Sequence, residues 1–147
     1  MARQTVTRLD IERELCRRSF PDFLDHVLIQ EPPSPLVAGS GGIIPFEKWP
    51  HLLAMAGILL TWPLALFLKA RQVGATWLVA AYLAWLCIYR KGTDGLLLSK
   101  TEDDAVDFLS RVRLVIQNLP PHLSVPYSKP PASLSQTLGN GSRLTPM

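Results

Sequence analysis

Apolar and polar positions change their rhythm several times along the chain. Residues 9–18 set Leu9, Ile11 and Leu15 among Asp10, Glu12, Arg13, Glu14, Arg17 and Arg18, which predicts a short surface helix. After Pro21, Phe23, Leu24, Val27 and Leu28 recur at helical spacing. Residues 31–42 (EPPSPLVAGSGG) carry too many breakers for regular structure and read as a connector. From Ile43 to Leu119 the pattern is that of an ordered core. The apolar run 64–68 predicts a buried strand, and 76–89, apolar on all faces, predicts a buried helix. Residues 96–98 predict a second strand between Gly95 and Ser99. Thr101 to Asp104 then forms a capping box in its Thr-x-x-Asp form. The helix it opens has a one-sided stripe of Ala105, Phe108, Leu109, Val112, Ile116 and Leu119, with Asp107 and Arg111 spaced to pair on the wet side. Strand, helix, strand, helix at this spacing predicts a βαβ unit on a parallel sheet. Residues 120–147 hold six of the 13 prolines and read as irregular. Their local signal is the Asn140-Gly141 turn, which would start a strand at Ser142 to Leu144 that looks cut off. Two regions follow: a helical segment with a Pro/Gly linker over 1–42, and an α/β domain over 43–147.

Composition narrows the class. The chain has 147 residues, 48% hydrophobic and 18% charged, enough for one domain and too apolar for disorder. Its net charge of +3 permits contact with a polyanion without requiring it. All 12 acidic residues lie between Asp10 and Asp107, so chemistry that needs a carboxylate further along has none to use. Two widely spaced cysteines, Cys16 and Cys87, argue against a disulfide scaffold or zinc site and favour a reducing compartment. The charged N-terminus shows no secretory signal. Residues 52–68 and 72–89 run 17 and 18 positions without a charge, near the length of a spanning helix. A small two-span membrane protein without enzymatic activity is therefore the alternative reading. Against it stand Pro63, the water-patterned helix after Thr101, and basic residues at both Lys69/Arg71 and Arg90/Lys91.

The junction between the first predicted strand and the all-apolar helix carries the candidate chemistry. A phosphate loop needs backbone N–H groups at a helix N-terminus, a glycine for close approach, a hydroxyl for Mg²⁺ and a cation for the phosphates. Gly74 and Thr76 supply the glycine and the hydroxyl, and Lys69 or Arg71 the cation. Against GxxxxGK[ST], Lys69 stands at the first glycine position and Ala75 at the usual lysine position. A basic strand end before a capped helix would give the same string, so the junction's place in a βαβ pattern carries the reading.

The stretch KARQVGATWLVAAYLAWL resembles the displaced Walker A segment of the large terminase subunit of tailed bacteriophages. Other segments share the resemblance in order. Ile44 to His51 is similar to the family's adenine-side motif, Gly95 to Lys100 to its second strand, and Asp104 to Arg113 to the helix after it. Asn140 to Arg143 is similar to the Asn-Gly-Ser hairpin that precedes the family's Walker B strand. Together they cover about residues 43–143. The resemblance implies a P-loop NTPase fold of the RecA/ASCE type: a parallel sheet flanked by helices, here truncated before the Walker B strand. It implies ATP and Mg²⁺ as cofactors, and a motor that drives double-stranded DNA into a procapsid. The partners would be that DNA, a small terminase subunit and a portal protein, with a homo-oligomer once complete, in the bacterial host cytoplasm.

Carried over by position, Lys69 and Arg71 would meet phosphate charge, Gln72, Val73, Gly74, Ala75 and Thr76 would form the loop, Thr76 would offer the Mg²⁺ hydroxyl, and Trp49 would pack near the base. The chain departs from the family twice. Leu52 stands where a glutamine usually reads the adenine edge, and no apolar strand ends in the Walker B acid. No catalytic residue is therefore assigned, the resemblance does not extend to a nuclease domain, and the chain by itself is expected to be inactive and to aggregate or be marginally stable.

The remaining candidates have simpler readings. His26, His51 and His122 lack metal spacing, Trp62, Trp77 and Trp85 read as core aromatics, and Ser40 in GSGG is not a nucleophile elbow. Asn140-Gly141-Ser142 matches a glycosylation sequon but reads as a turn. Glu102, Asp103 and Asp104 are helix N-terminal charge, while Arg90, Lys91, Arg111 and Arg113 read as solvated helix ends as readily as DNA contacts.

Overall fold

A computed structural model describes residues 6–33, 35, 36, 38, 39, 41–71, 73–130 and 135–147. Helix α1 (Arg8–Arg18) opens on a reciprocal capping box between Thr7 and Asp10. Helix α2 (Phe20–Leu24) follows directly, with Ser19 as its N-cap. The helical spacing of residues 23–28 stops short there: Leu28 belongs to strand β1 (Leu28–Glu31), which pairs antiparallel with β2 (Gly42–Pro45). The Pro/Gly connector is thus the loop of a β-hairpin, which its breakers concealed.

Helix α3 (Pro50–Thr61) begins at Trp49 with proline in its first turn. Helix α4 (Ala75–Tyr89) is the central post, burying Leu78, Ala81, Ala84, Trp85 and Ile88. Its alanines admit close neighbours, and it packs against α2, α3 and α5 (Glu102–Gln117). Phe20 meets Tyr82 and Trp85 with ring centroids 5.4 and 5.5 Å apart, and the Trp85 indole N–H donates to the Cys16 carbonyl at 2.8 Å. That bond fixes α1 to the core. The buried set extends past 43–119 at both ends, through Cys16, Phe20, Phe23, Leu24 and Val27 on one side and Leu123, Leu138 and Leu144 on the other.

The three-stranded sheet has the order β3-β5-β4, from β3 (Asp94–Leu97), β4 (Gln136–Thr137) and β5 (Arg143–Pro146). β3 and β5 are parallel, with Asp94 opposite Arg143 and Leu97 opposite Pro146, and α5 makes the crossover. Strands and helices are mixed as expected for the α/β class, but the βαβ unit differs from the predicted one. It is β3–α5–β5, and residues 64–68 form no strand. Leu64, Leu66 and Leu68 are 89%, 97% and 103% exposed. The reason is lateral: β3 pairs with β5, and no described strand lies beside 64–68 to take its backbone hydrogen bonds. Residues 120–130 form no helix or strand, as read, and the Asn140-Gly141 turn closes the expected hairpin; its second strand is not cut off but lies central in the sheet.

Smaller expectations also change. Thr101 caps α5 through the Asp104 N–H at 3.2 Å, and Ala105, Leu109, Val112, Ile116 and Leu119 are buried as the stripe requires. Asp107 and Arg111 form no ion pair; the Arg111 guanidinium lies 5.9 Å over the Trp77 ring. Trp62 is 64% exposed, not core, because it follows the last turn of α3 into solvent. Arg113 is half-buried and donates to Gln136 Oε1 at 3.1 Å and to the Ser135 carbonyl at 3.0 Å, so it joins α5 to the sheet. Among the described residues no helix is long and apolar enough to cross a membrane. The two uncharged runs are instead α3 with the exposed segment after it, and α4.

Candidate functional site

The start of α4 is where the sequence-derived site residues converge. Gly74 is the N-cap, in the left-handed conformation at φ +77°, and its carbonyl accepts the first helical bond from Leu78 at 3.1 Å. A side chain there would be strained, and a Cβ would stand 3.1 Å from Leu52 Cδ1. Among the described residues no side chain caps this helix end, which leaves its first N–H groups and positive dipole end facing the site.

The loop before Gly74 is held from α3. His51 Nε2 lies 3.0 Å from the Val73 carbonyl; since a carbonyl only accepts, the ring carries its proton on Nε2. The Trp49 ring packs edge-on against His51 at 5.5 Å, and its indole N–H donates to the Glu47 carboxylate. Trp49, Pro50 and His51 thus orient the helix-start loop, although they lie more than 20 residues upstream.

A cleft of about 430 Å³ opens between these elements and the β1–β2 hairpin. Ile29, Ile44, Phe46, Trp49, Leu52, Val73 and Gly74 line it, with Glu31 and Glu47 at its polar positions. It is apolar and aromatic with few polar groups, the composition that accepts a flat ring. Leu52 is buried and contributes a methyl surface in place of a hydrogen-bonding amide.

Thr76 faces a second cleft, of about 540 Å³, shared with Ser99, Asp104, Asp107, Arg111 and the exposed end of β3. Its oxygen donors suit a hard cation in kind. Among the described residues, however, no group of three or more His, Cys, Asp or Glu side chains converges as a metal site. Ala75 is buried in the first turn of α4. Lys69 and Arg71 are exposed and line neither cleft, and among the described residues the Lys69 ammonium reaches the neighbouring Ala70 carbonyl at 3.4 Å. Gln72, like Ser40, lies outside the described residues. The structure therefore brings Trp49, Leu52, Val73 and Gly74 into one cleft, sets Thr76 on the next, and leaves both cations in solvent.

Several polar contacts had no signal in the sequence. The Glu12 carboxylate meets His122 Nε2 at 2.6 Å and His26 Nε2 at 3.6 Å, joining segments 110 residues apart. At the far end of α4, the Asn140 amide donates to the Cys87 and Ile88 carbonyls at 2.7 and 3.2 Å. The Ser142 hydroxyl lies 2.9 Å from the Cys87 carbonyl. The sequon-like triplet is a helix cap. No protein-family model matches the chain, and no curated protein is significantly similar to it.

Proposed function

We propose that the chain binds a nucleoside triphosphate at the start of α4, as the front part of the ATPase motor in a viral DNA-packaging terminase large subunit. The observation that supports this reading is the joining of two motifs that the resemblance singles out separately. Trp49-Pro50-His51 and Val73-Gly74 meet across one aromatic cleft, with His51 hydrogen-bonded to Val73. The base would lie against Trp49 and Leu52. The phosphates would lie over the N-terminus of α4, against the N–H groups of Ala75 and Thr76, and Lys69 and Arg71, which stand exposed outside both clefts, would have to fold in toward them. The Thr76 hydroxyl would hold Mg²⁺, which neutralises charge on the triphosphate. This P-loop NTPase reading makes double-stranded DNA, a small terminase subunit and a portal protein the partners of the whole motor. Without a Walker B acid, binding without turnover is the expected behaviour of this chain.

The test is protection of side chains. Mg-ATP should shield Lys69 from amine modification and Arg71 from dicarbonyl modification, and Trp49→Ala should weaken that shielding by about tenfold, the value of one lost ring contact. Unchanged modification of both residues at millimolar ATP refutes the site. Steady phosphate release that disappears in Lys69→Ala would refute the expectation of binding without turnover.

A further inference from the structure

Side chains around the cleft beside Gly74 offer hydrogen-bond acceptors and no free donor, and that asymmetry discriminates between bases. Strand pairing sets Ile29 opposite Ile44 and Glu31 opposite Gly42. The period of two along β1 puts Ile29 and Glu31 on one face, and both line the cleft. Glu31 thus stands one pleat, about 7 Å, beyond the Ile29–Ile44 pair. Gly42 opposite it carries no side chain, and a Cβ there would meet nothing within 4 Å. The Glu31 carboxylate is exposed with open room beside it, and among the described residues it accepts no hydrogen bond and joins no ion pair. Glu47 differs, because its carboxylate already accepts the Trp49 indole N–H. That indole is the one side-chain donor among the described lining residues, and Glu47 occupies it.

Resting on the nucleotide site proposed above, we propose that the base this cleft prefers is guanine rather than adenine, read by Glu31. The Watson–Crick edge of guanine presents two adjacent donors, N1–H and N2–H₂, and an ionised carboxylate accepts two parallel hydrogen bonds from such a fork. Trp49, 51% exposed, keeps ring surface for the base, and Leu52 packs on it without any polar atom of its own. Adenine presents one amino donor beside the lone pair of its N1, so a carboxylate gains one bond and faces a second acceptor. Cytosine repeats that mismatch on a smaller ring, and uracil sets a single N–H between two carbonyls. With no free side-chain donor in the cleft, the acceptors of these three bases find no counterpart there. Water competes for an exposed carboxylate, so the preference is about tenfold, the value of one charge-assisted hydrogen bond. Adenine nucleotides still enter, by stacking.

The test uses the full 147-residue chain with Mg²⁺, and competes GTP, ATP, ITP and XTP against fluorescent N-methylanthraniloyl-GTP. GTP should displace the probe at about tenfold lower concentration than ATP. ITP, which keeps N1–H and lacks the 2-amino group, should fall between them. Glu31→Gln, at an exposed position, should bring GTP to the level of ATP and favour XTP by about tenfold. The reason is that an amide pairs its C=O with N1–H and its N–H₂ with the 2-oxo group of xanthine. A misfolded variant could not show that gain. Binding of ATP as tight as GTP or tighter overturns the guanine inference and leaves the nucleotide site standing. A GTP preference that Glu31→Gln leaves unchanged overturns it as well. If neither the probe nor any of these nucleotides binds at millimolar concentration, the nucleotide site itself fails, and the base preference with it.

Discussion

Removing the side-chain cap at the end of α4 tests whether the hairpin and the helix form one unit. Ser142 is 1% exposed; its hydroxyl lies 2.9 Å from the Cys87 carbonyl and 3.1 Å from the Arg90 carbonyl, and accepts the Thr93 N–H at 3.3 Å. Ser142→Ala leaves the Thr93 N–H without this acceptor, a loss of about 1–2 kcal/mol. Asn140→Ala removes the donor to the Ile88 carbonyl and the acceptor of the Ser142 N–H, bonds of 3.2 and 3.1 Å, for a similar loss. Both side chains serve the Cys87 carbonyl, so each single variant leaves that group one partner and the double variant leaves it neither. The double variant should therefore exceed the sum of the singles by about 1 kcal/mol. Urea unfolding followed by circular dichroism and tryptophan fluorescence measures all four proteins. Strictly additive losses would refute the shared cap, and a Ser142→Ala loss below about 0.5 kcal/mol would refute the buried bond itself.

Three further outcomes follow from particular residues. Gly74→Ala should destabilise the chain by about 1–2 kcal/mol, from its left-handed backbone and its approach to Leu52. Gly74→Asn should lose less, and equal losses would refute the backbone argument. Arg17 first, then Arg18, holds the Glu14 carboxyl down to about 2. Its contribution to α1 is thus present above the ordinary carboxylate range and lost as pH falls through about 2. An NMR titration of Glu14 that centres near 4.5 would contradict this. Burial pushes the Cys87 thiol up to about 11, and burial, followed by the Glu12, Asp22 and Asp25 carboxylates, does the same for Cys16. Neither should react with a disulfide reagent at pH 8 until the protein unfolds, and prompt labelling of the folded chain would refute their placement.

Elements set by local forces were legible in the sequence. The sealed apolar pattern of α4, the one-sided stripe and Thr101 cap of α5, the charged helix α1 and the Asn140-Gly141 turn each depend on neighbours within a few residues, and each was found. Candidate site residues were legible as types for the same reason: a glycine and a threonine at a helix start identify themselves wherever the helix ends up. Tertiary structure alone decided which segments became partners. Residues 64–68 have the composition of a buried strand, but a strand exists only with a lateral partner, and β3 found its partner in β5. The hairpin hidden in the Pro/Gly connector, the His51–Val73 contact, the Glu12–His122 bridge and the Asn140 and Ser142 caps all join residues distant in sequence. Their polar groups pair because burial elsewhere brings them together and makes an unpaired group costly. Spacing along a chain carries no record of that.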